Sequence, residues 1–564
     1  MRHLRNWRTL TQIPSRRMHM SFKNADECWK TIQKELKPEL LTEIEGFARK
    51  NETPAQVEFG TSGWRGVIGS DFTFHNVRIV TQAILNTLKS NDPKVRAALG
   101  VPDFAATREK GIVVGHDNRF LGPQFARAVM DMLTAEGVKV FYCGETTTPQ
   151  ISAAIDVLGA ACSMNITPSH NPSPYAGLKF NPSDGGPAGS EITDCIQSEA
   201  NRMMKEPLKK TGSTGDGKPP SKFDPIETYL MFLRQRGTLD LNRIRNFIHK
   251  SDCLVVIDHV HGATRGVPEI LLNASDILNT KLVLLRTNDD YLFGGVAPEP
   301  SAKNMDTADK LLKQSSAKFR IGAIMDPDGD RIRLADHRVQ VPMNYFGAMA
   351  LHFLYVHKGI KGLVAKSVGT SNFVNAIAEK LGVPVRETKV GFKNFRPFML
   401  PDSPLRAIAA FEESDGISGY NHTLEKDALF GLLLAIEIVA TSGKNLSEYL
   451  QDLMKEYGYF YPERSGIEVD RSLVGDSLKK KIAAIQKKYP EGSFLQVGPR
   501  PLKVKKLITV DGTKMVLEDD SWLMIRPSGT EPKVRFYVEA RKPDEIQALF
   551  ETAEQLTRAA ISGN

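Results

Sequence analysis

Three short apolar runs, each followed by a polar turn and a helical segment, most constrain the fold of this chain. They begin near residues 112, 254 and 363 and are built mainly from valine, leucine, isoleucine and alanine. Short buried strands that alternate with helices are typical of α/β folds with parallel strands. Because the spacings between the runs are unequal, the pattern predicts a weak three-fold repetition of one α/β unit.

Further periodic segments agree with this class of fold. We predict additional strands at 138–142, 160–166, 319–325 and 409–411, and helices at 21–50, 77–89, 123–136 and 428–442. Beyond residues 457–463 the pattern changes to short strands, such as 507–510 and 522–525, with a last helix at 543–560. This part of the chain is predicted to form a separate small α+β domain. A Gly-, Ser- and Pro-rich stretch at 211–220 has the composition of a linker or domain boundary.

Composition narrows the class of protein. The chain has 564 residues, of which 41% are hydrophobic, so it should contain more than one core. The longest apolar stretch, near 428–440, is interrupted by Glu437, and no membrane partner is expected. The five cysteines are odd in number and lack C-x-x-C spacing, which favours reduced packing cysteines of an intracellular protein over a zinc site.

The excess positive charge is local. Residues 1–25 carry six of the net eight positive charges, and no acid precedes Asp26. The rest of the chain is nearly neutral, so the charge predicts no nucleic-acid partner. The basic stretch itself is typical of an organelle-import presequence, but it could also be a tail that precedes a true start at Met18 or Met20. We expect a cytoplasmic protein, with organelle import as the alternative.

The loop at residues 167–172 reads Thr-Pro-Ser-His-Asn-Pro and follows a predicted buried strand. Pro168 and Pro172 restrict both themselves and the residues before them, so the loop should present Ser169 in one geometry. A stiff polar loop at the end of a strand is a common place for chemistry in α/β proteins. The alternative is an ordinary turn, since these residue types favour turns for local reasons.

Asp326, Asp328 and Asp330 follow another predicted strand. Carboxylates this close repel one another unless a cation lies among them, and oxygen ligands suit Mg²⁺ or Ca²⁺. An EF-hand is excluded by spacing, because Arg331 stands where that loop needs glycine and His337 where it needs glutamate. The alternative to a metal site is a solvated acidic turn.

Three further polar stretches could bind anions or sugars. Residues 59–66 (Phe-Gly-Thr-Ser-Gly-Trp-Arg-Gly) and the segment from Arg526 to Thr530 combine arginine, hydroxyls and glycine, as phosphate-binding loops do. Glu412 and Ser414 could hydrogen-bond vicinal sugar hydroxyls. Each stretch, taken alone, could equally be a glycine-rich, basic or acidic turn.

Together these motifs resemble the α-D-phosphohexomutase superfamily, which includes phosphoglucomutases, phosphomannomutases and phosphoglucosamine mutases. The serine, metal, sugar and phosphate loops occur in the family's order, and residues 59–66 match its Gly-Thr-Ser-Gly-x-Arg-Gly signature. The match extends over nearly the whole chain from about residue 55.

The resemblance implies a fold and its domains. We expect an α/β protein of four domains: three related α/β/α units, and a C-terminal α+β domain similar to the TATA-binding protein. A basic extension at 1–25 precedes these domains. The predicted domains are 26–222 with the serine loop, 223–340 with the metal loop, 341–456 with the sugar loop and 457–564 with the phosphate loop. The active site would lie where the four domains meet.

The resemblance also implies a mechanism. A phosphoryl group on Ser169 would pass to a hexose monophosphate and give a hexose 1,6-bisphosphate, which also serves as activator. Mg²⁺ would bind that phosphoserine together with Asp326, Asp328 and Asp330. The residues that would assist catalysis are Arg65, His170 and Lys179, and Lys179 would need a lowered pKa to act as a base. The residues that would bind substrate are Thr61, Arg331, Lys393, Glu412, Ser414, Arg526, Ser528, Gly529 and Thr530.

The sequence departs from the family's common Gly-Glu-x-Ser-Gly pattern at Phe411 and Asp415, which affects the expected sugar. We favour glucose and mannose phosphates over glucosamine phosphate. A glucose-1,6-bisphosphate synthase and a non-catalytic paralogue that binds sugar phosphate remain alternatives. The expected partners are small-molecule sugar phosphates, and the chain should be a monomer or a dimer.

Overall fold

The structure is a computed structural model that describes residues 22–60, 63–206, 219–470, 473, 475–528 and 532–563. Most of the basic N-terminal extension and of the 211–220 linker lies outside these residues. So do three of the expected substrate-binding residues, Thr61, Gly529 and Thr530.

The first unit is a six-stranded mixed sheet covered by helices. Its sheet order is β1-β5-β4-β2-β3-β6. The strands are β1 Trp64–Val67, β2 Ile112–His116, β3 Val140–Glu145, β4 Cys162–Ile166, β5 Tyr175–Asn181 and β6 Ser221–Lys222. The helices are α1 Ala25–Glu35, α2 Leu41–Lys50, α3 Phe74–Leu88, α4 Pro93–Leu99, α5 Phe104–Lys110, α6 Gly122–Ala135, α7 Thr148–Leu158 and α8 Ser190–Met203.

The second and third units have sheets of order β11-β10-β9-β7-β8 and β13-β12-β14-β15. The second contains β7 Cys253–Asp258, β8 Leu282–Leu285, β9 Phe319–Met325, β10 Ile332–Ala335 and β11 Gln340–Val341, with α9 Pro225–Arg236, α10 Leu241–Lys250, α11 Val267–Leu272 and α12 Asp306–Gln314. The third contains β12 Leu363–Ser367, β13 Val385–Thr388, β14 Ala407–Glu412 and β15 Gly416–Gly419, with α13 Met343–His352, α14 Phe373–Leu381, α15 Arg396–Met399, α16 Ala428–Ser442 and α17 Leu446–Tyr457.

The three units share one strand pattern, which confirms the predicted α/β class. In each unit two strands pair in parallel: β2 with β4, β7 with β9, and β12 with β14. The second strand of each pair then continues through a short loop into an antiparallel neighbour: β5, β10 or β15. The serine, metal and sugar loops are these three connections, so the repeat itself places them at equivalent ends of the sheets.

The C-terminal part is an α+β domain, as predicted. Its antiparallel sheet has the order β16-β21-β20-β19-β18-β17. The strands are β16 Tyr461–Glu468, β17 Phe494–Val497, β18 Arg500–Ile508, β19 Thr513–Leu517, β20 Trp522–Pro527 and β21 Lys533–Ala540, and the helices are α18 Asp476–Lys488 and α19 Ile546–Ser562. Strand β18 ends two residues before the predicted strand at 507–510 does.

The prediction of one helix at 21–50 is wrong, because α1 ends at Glu35 and α2 begins at Leu41. Leu36 takes the left-handed conformation at φ 50°, and Pro38 begins a short 3-10 turn. Proline cannot donate the backbone hydrogen bond that a continuous helix needs there. Trp29 and Ile44, one on each helix, are both buried in the hydrophobic core of the first unit.

Helix α16 is the most buried helix of the third unit and packs against the second and third sheets. Its one acid, Glu437, is paired with Lys358. No single helix among the described residues is long and apolar enough to cross a membrane. Helices α16 and α17, which meet at a bend of 75°, reach that length and composition only when they are taken together.

Candidate functional site

Ser169 lies at the centre of the site and is 1% exposed. Its Oγ donates a hydrogen bond to Asp326 Oδ2 at 2.9 Å and lies 3.3 Å from His170 Nδ1. The backbone of Ser169 is left-handed, at φ 58°, an unusual conformation for a residue with a side chain. Its N–H donates to Thr167 Oγ1 at 2.9 Å. The loop therefore presents the serine hydroxyl directly to the metal loop.

Asp326, Asp328 and Asp330 form a buried carboxylate cluster, with one oxygen of each within 4.8 Å of the others. Asp326 Oδ1 is fixed by the backbone N–H groups of Asp330 and Arg331, at 3.0 and 2.9 Å. Asp328 Oδ1 and Asp330 Oδ1 are buried and accept no hydrogen bond from the described residues. Buried carboxylate oxygens that lack a donor fit a hard divalent cation, so these three side chains could hold Mg²⁺.

The charged groups around the cluster shift the pKa values of Asp326 and Asp330 in opposite directions. Burial and the two neighbouring acids raise the pKa of Asp326 well above its usual value. Burial acts on Asp330 in the same direction, but the ammonium groups of Lys179 and Lys426 outweigh it and hold the pKa of Asp330 well below the usual value. Crowding thus raises the pKa of one carboxyl of the cluster, as expected for closely spaced acids.

Lys179 lies against this cluster, with Nζ 2.6 Å from Asp328 Oδ2 and 2.9 Å from Asp330 Oδ2. Burial alone would lower its pKa, but the two carboxylates outweigh burial and raise it. This shift is opposite in direction to the lowered pKa that Lys179 would need to act as a base. Lys426, which sequence reasoning missed, donates to Asp330 Oδ2 at 2.9 Å. The available signal was its place in a charged triplet immediately before the very apolar helix α16.

Arg65 and Arg331 add two guanidinium groups next to the serine and metal loops. Arg65 donates from Nη1 to Asn171 Oδ1 at 2.9 Å, within the serine loop. Burial, followed by the charge of Arg331, lowers the pKa of Arg65. The backbone of Arg331 forms an isolated β-bridge with Gly416, which joins the metal loop to the sugar loop. His170 shares this environment, since burial, Arg331 and Arg65 lower its pKa well below the usual value.

Glu412 ends strand β14 and is buried, with Oε1 accepting the N–H of Gly391 at 2.6 Å. Burial, and then the neighbouring Glu413, raise its pKa from 4.5 to about 7. Ser414 follows and is partly exposed. Lys393 lies in the 3-10 turn after Gly391, so the backbone joins it to the Glu412 contact.

The two departures from the family pattern have structural partners. Phe411 is fully buried, and its ring fills the space beside Gly347, where a Cβ would come within 2.1 Å of it. Asp415 is left-handed at φ 70°, and its Oδ2 accepts a hydrogen bond from Arg333 at 3.1 Å. Phe411 therefore serves the core, and Asp415 faces a neighbouring strand.

Arg526 and Ser528 reach the same region from the C-terminal domain. Arg526 Nε donates to Asp511 Oδ2 at 2.9 Å, and that oxygen also accepts the N–H of Val390 at 3.0 Å. Ser528 is buried, and its N–H donates to Lys533 O at 2.8 Å. Asp511 thus ties the phosphate loop to the segment that carries Gly391 and Lys393.

The predicted residues therefore fall into two connected groups. One group shares the buried network at the serine and metal loops: Ser169, His170, Lys179, Arg65, Asp326, Asp328 and Asp330. The other lies between the third unit and the C-terminal domain: Lys393, Glu412, Ser414, Arg526 and Ser528. Arg331 is between them, because Asp330, Asp326 and Glu412 all act on its pKa and raise it against the effect of burial.

The comparisons with known proteins agree with this architecture. The chain matches the phosphoglucomutase/phosphomannomutase family in all four of its domains: alpha/beta/alpha domain I over residues 56–206, domain II over 227–339, domain III over 342–457 and the C-terminal domain over 472–555. The fold and the site define a phosphotransferase with isomerase activity. The chain belongs to the phosphoglucomutase/phosphomannomutase family.

Its relatives act on several sugars. A phosphoglucomutase/phosphomannomutase of Thermococcus kodakarensis is 27% identical over 90% of this chain and 99% of its own. A phosphoglucosamine/phosphogalactosamine mutase of Sulfurisphaera tokodaii is 25% identical over 86% and 95%. A crystal structure of a provisionally named phosphomannomutase from Thermus thermophilus has a TM-score of 0.71 and 26% identity over 90% of this chain and 100% of its own.

Proposed function

We propose that this enzyme interconverts hexose 1-phosphates and hexose 6-phosphates through a phosphorylated Ser169. The observation that carries the proposal is the 2.9 Å contact between Ser169 Oγ and Asp326 Oδ2, beside two buried carboxylates whose Oδ1 atoms accept no hydrogen bond from the described residues. A serine held next to a cation-binding cluster can carry a phosphoryl group, because phosphoryl transfer needs positioning and charge neutralisation above all.

The chain's own residues divide the work. Asp326, Asp328 and Asp330 would hold Mg²⁺, which neutralises charge on a transferring phosphoryl group. Arg65 fixes the serine loop through Asn171, and Lys179 balances the acids of the metal loop. When a sugar hydroxyl takes the phosphoryl group, it loses its proton as the new P–O bond forms. The P–Oγ bond to Ser169 breaks, and the proton that the sugar hydroxyl has lost ends on Ser169 Oγ. The regenerated serine hydroxyl can then take up the second phosphoryl group of the bisphosphate.

The second group of residues would hold the rest of the sugar phosphate. Glu412 ends strand β14 and Ser414 lies in the loop after it, so the two side chains could meet neighbouring hydroxyls. Arg526, with Ser528, Gly529 and Thr530, would bind the phosphate that is not transferred, and Lys393 would approach from the adjoining turn. We propose hexose 1,6-bisphosphate as the activator, since it can load Ser169.

We propose glucose and mannose phosphates as the preferred substrates. Because Phe411 points into the core and Asp415 pairs with Arg333, neither departure from the family pattern removes Glu412 or Ser414 from the site. Comparing kcat/KM for glucose, mannose and glucosamine 1-phosphates on one preparation tests this choice. A preference for the glucosamine ester would refute it.

The mutase activity is tested by a coupled assay with glucose 1-phosphate, Mg²⁺ and a trace of glucose 1,6-bisphosphate. We expect turnover by the unmodified enzyme and none by Ser169→Ala. Ser221→Ala, at an exposed serine on strand β6 of the same unit, is the matched control and should keep full activity. No turnover by the unmodified enzyme, or equal turnover by Ser169→Ala, would refute the proposal.

A further inference from the structure

The guanidinium of Arg119 is buried behind the serine loop and binds its backbone. Nη2 donates to the carbonyl oxygens of Ser169, at 2.7 Å, and Asn171, while Nη1 donates to those of Pro172, at 2.8 Å, and Tyr175, at 3.3 Å. The side chain is 2% exposed. One planar group thus holds four carbonyls across seven residues, from the serine loop to the first residue of β5, which a lysine ammonium could not match in geometry.

Asp117, two residues earlier, holds the same loop from its other end. Its Oδ2 accepts a hydrogen bond from Thr167 Oγ1 at 2.7 Å, and Thr167 Oγ1 in turn accepts the N–H of Ser169 at 2.9 Å. Asp117 Oδ2 also lies 3.4 Å from Arg119 Nε. The N–H of Ser169 is therefore fixed through Thr167 and its carbonyl through Arg119.

These contacts explain how Ser169 can remain left-handed. A non-glycine residue at positive φ costs about 1–2 kcal/mol, and it persists only where surrounding contacts determine it. With its N–H and its carbonyl both held, the serine has its hydroxyl directed at Asp326, 2.9 Å away. Phe293 of the second unit covers the guanidinium, with its ring centre 4.8 Å from the central carbon of Arg119.

The equivalent turns of the other two units support their loops in the same way. After β7, Ala263 N–H donates to Pro327 O of the metal loop at 2.7 Å, and a Cβ on Gly262 would lie 2.6 Å from Pro327 Cα. At the end of β12 and in the turn after it, the hydroxyls of Ser367 and Thr370 both donate to Glu413 of the sugar loop. Holding the neighbouring loop is thus a shared feature of the three repeats, and Arg119 is its form in the first.

We propose that Arg119 is a positioning residue for phosphoryl transfer, which fixes the serine loop in the one geometry that serves both directions of the reaction. The inference rests on the proposed function. A bisphosphate that turns over must meet the same serine geometry with either of its phosphates. A misplacement of about 1 Å can slow such a step by about 100-fold.

The test compares Arg119→Lys, which keeps the charge but not the planar fork, with Arg127→Lys on helix α6, which follows the turn that carries Arg119. Arg127 is exposed and pairs only with Asp131, one turn away, among the contacts in the described structure. Each enzyme is loaded with glucose 1,6-bisphosphate, and the single-turnover transfer from phosphoserine to glucose 1-phosphate is followed. We expect Arg119→Lys to load and to transfer about 100-fold more slowly, with little change in KM, while Arg127→Lys behaves as the unmodified enzyme.

A purely structural loss would lower the amount of folded enzyme without changing the transfer rate constant of the molecules that remain. Thr167→Val removes the hydroxyl between Asp117 and Ser169 at almost constant volume, and it should also slow phosphoryl transfer. This variant tests the positioning of the serine loop if Arg119→Lys does not fold. Transfer at the normal rate in the folded variants would overturn the positioning role alone. An unmodified enzyme that transfers no phosphoryl group would refute the proposed function, and the positioning role with it.

Discussion

Replacing Glu412 by glutamine should stabilise the protein above neutral pH while it weakens sugar binding. Glu412 is 4% exposed, and burial raises its pKa from 4.5 to about 7. Between these two values the unfolded chain has lost the proton and the folded protein still holds it, so the free energy of unfolding falls as the pH rises. At about 1.4 kcal/mol for each pH unit, the cost reaches about 3 kcal/mol above pH 7.

Glutamine carries no charge at any pH and keeps an oxygen that can accept the N–H of Gly391. Glu412→Gln should therefore remove the loss in free energy of unfolding that the charged Glu412 causes above pH 7. Hydrogen exchange of the backbone amides of strand β14, corrected for the intrinsic effect of pH, measures this change in stability locally. We expect about 100-fold greater protection in the variant than in the unmodified protein at about pH 8, and no difference at about pH 4. In the same variant KM for the hexose 1-phosphate should rise about 10-fold or more, because a hydrogen bond to a charged group is lost.

Glu379→Gln, at an exposed position on helix α14, is the matched control and should change neither protection nor KM. Equal protection of strand β14 in Glu412→Gln and the unmodified protein at about pH 8 would refute the reasoning. A gain of the same size at about pH 4 would refute it as well, because the gain would then not come from the charge.

Two further predictions concern buried acids. Asp328→Asn should weaken binding of Mg²⁺ alone by at least about 100-fold in calorimetry. The control variant Asp306→Asn, at the exposed start of helix α12, should leave the Mg²⁺ affinity unchanged. Unaltered Mg²⁺ affinity in Asp328→Asn would exclude this cluster as the metal site. Lys358→Met should lower the free energy of unfolding in urea by about 3 kcal/mol, because Glu437, buried in helix α16, then loses its ammonium partner. Adding Glu437→Gln should recover most of that loss, and a single variant of normal stability would contradict the prediction.

The sequence predicted the elements whose pattern is local. Strand Phe319–Met325 and helix Ala428–Ser442 have the predicted bounds, since both are continuous apolar runs that end in polar turns. The predicted helix at 21–50 failed because a left-handed residue and a proline outweigh amphipathic spacing. Local composition shows the periodicity of a helix but gives only weak signs of where it breaks.

The same distinction holds for the candidate site: residues that are grouped in the sequence could be predicted, and residues with distant partners were missed. The three aspartates could be found because they stand together on one loop. Arg119 and Lys426 were missed because their partners lie far away in sequence: Arg119 holds a loop about fifty residues on, and Lys426 reaches Asp330 in the preceding unit. Those contacts arise from sheet neighbours and from the packing of one unit on the next, which a single sequence does not display.

The most direct test of the central claim is to follow one phosphoryl group on Ser169. The enzyme is incubated with glucose 1,6-bisphosphate, its intact mass is measured and the modified peptide is mapped. We predict a single phosphoryl group on the peptide that contains Ser169, and its transfer to sugar when glucose 1-phosphate and Mg²⁺ are added. An unmodified Ser169, or a phosphoryl group that stays on the protein in the presence of the sugar phosphate, would contradict the account.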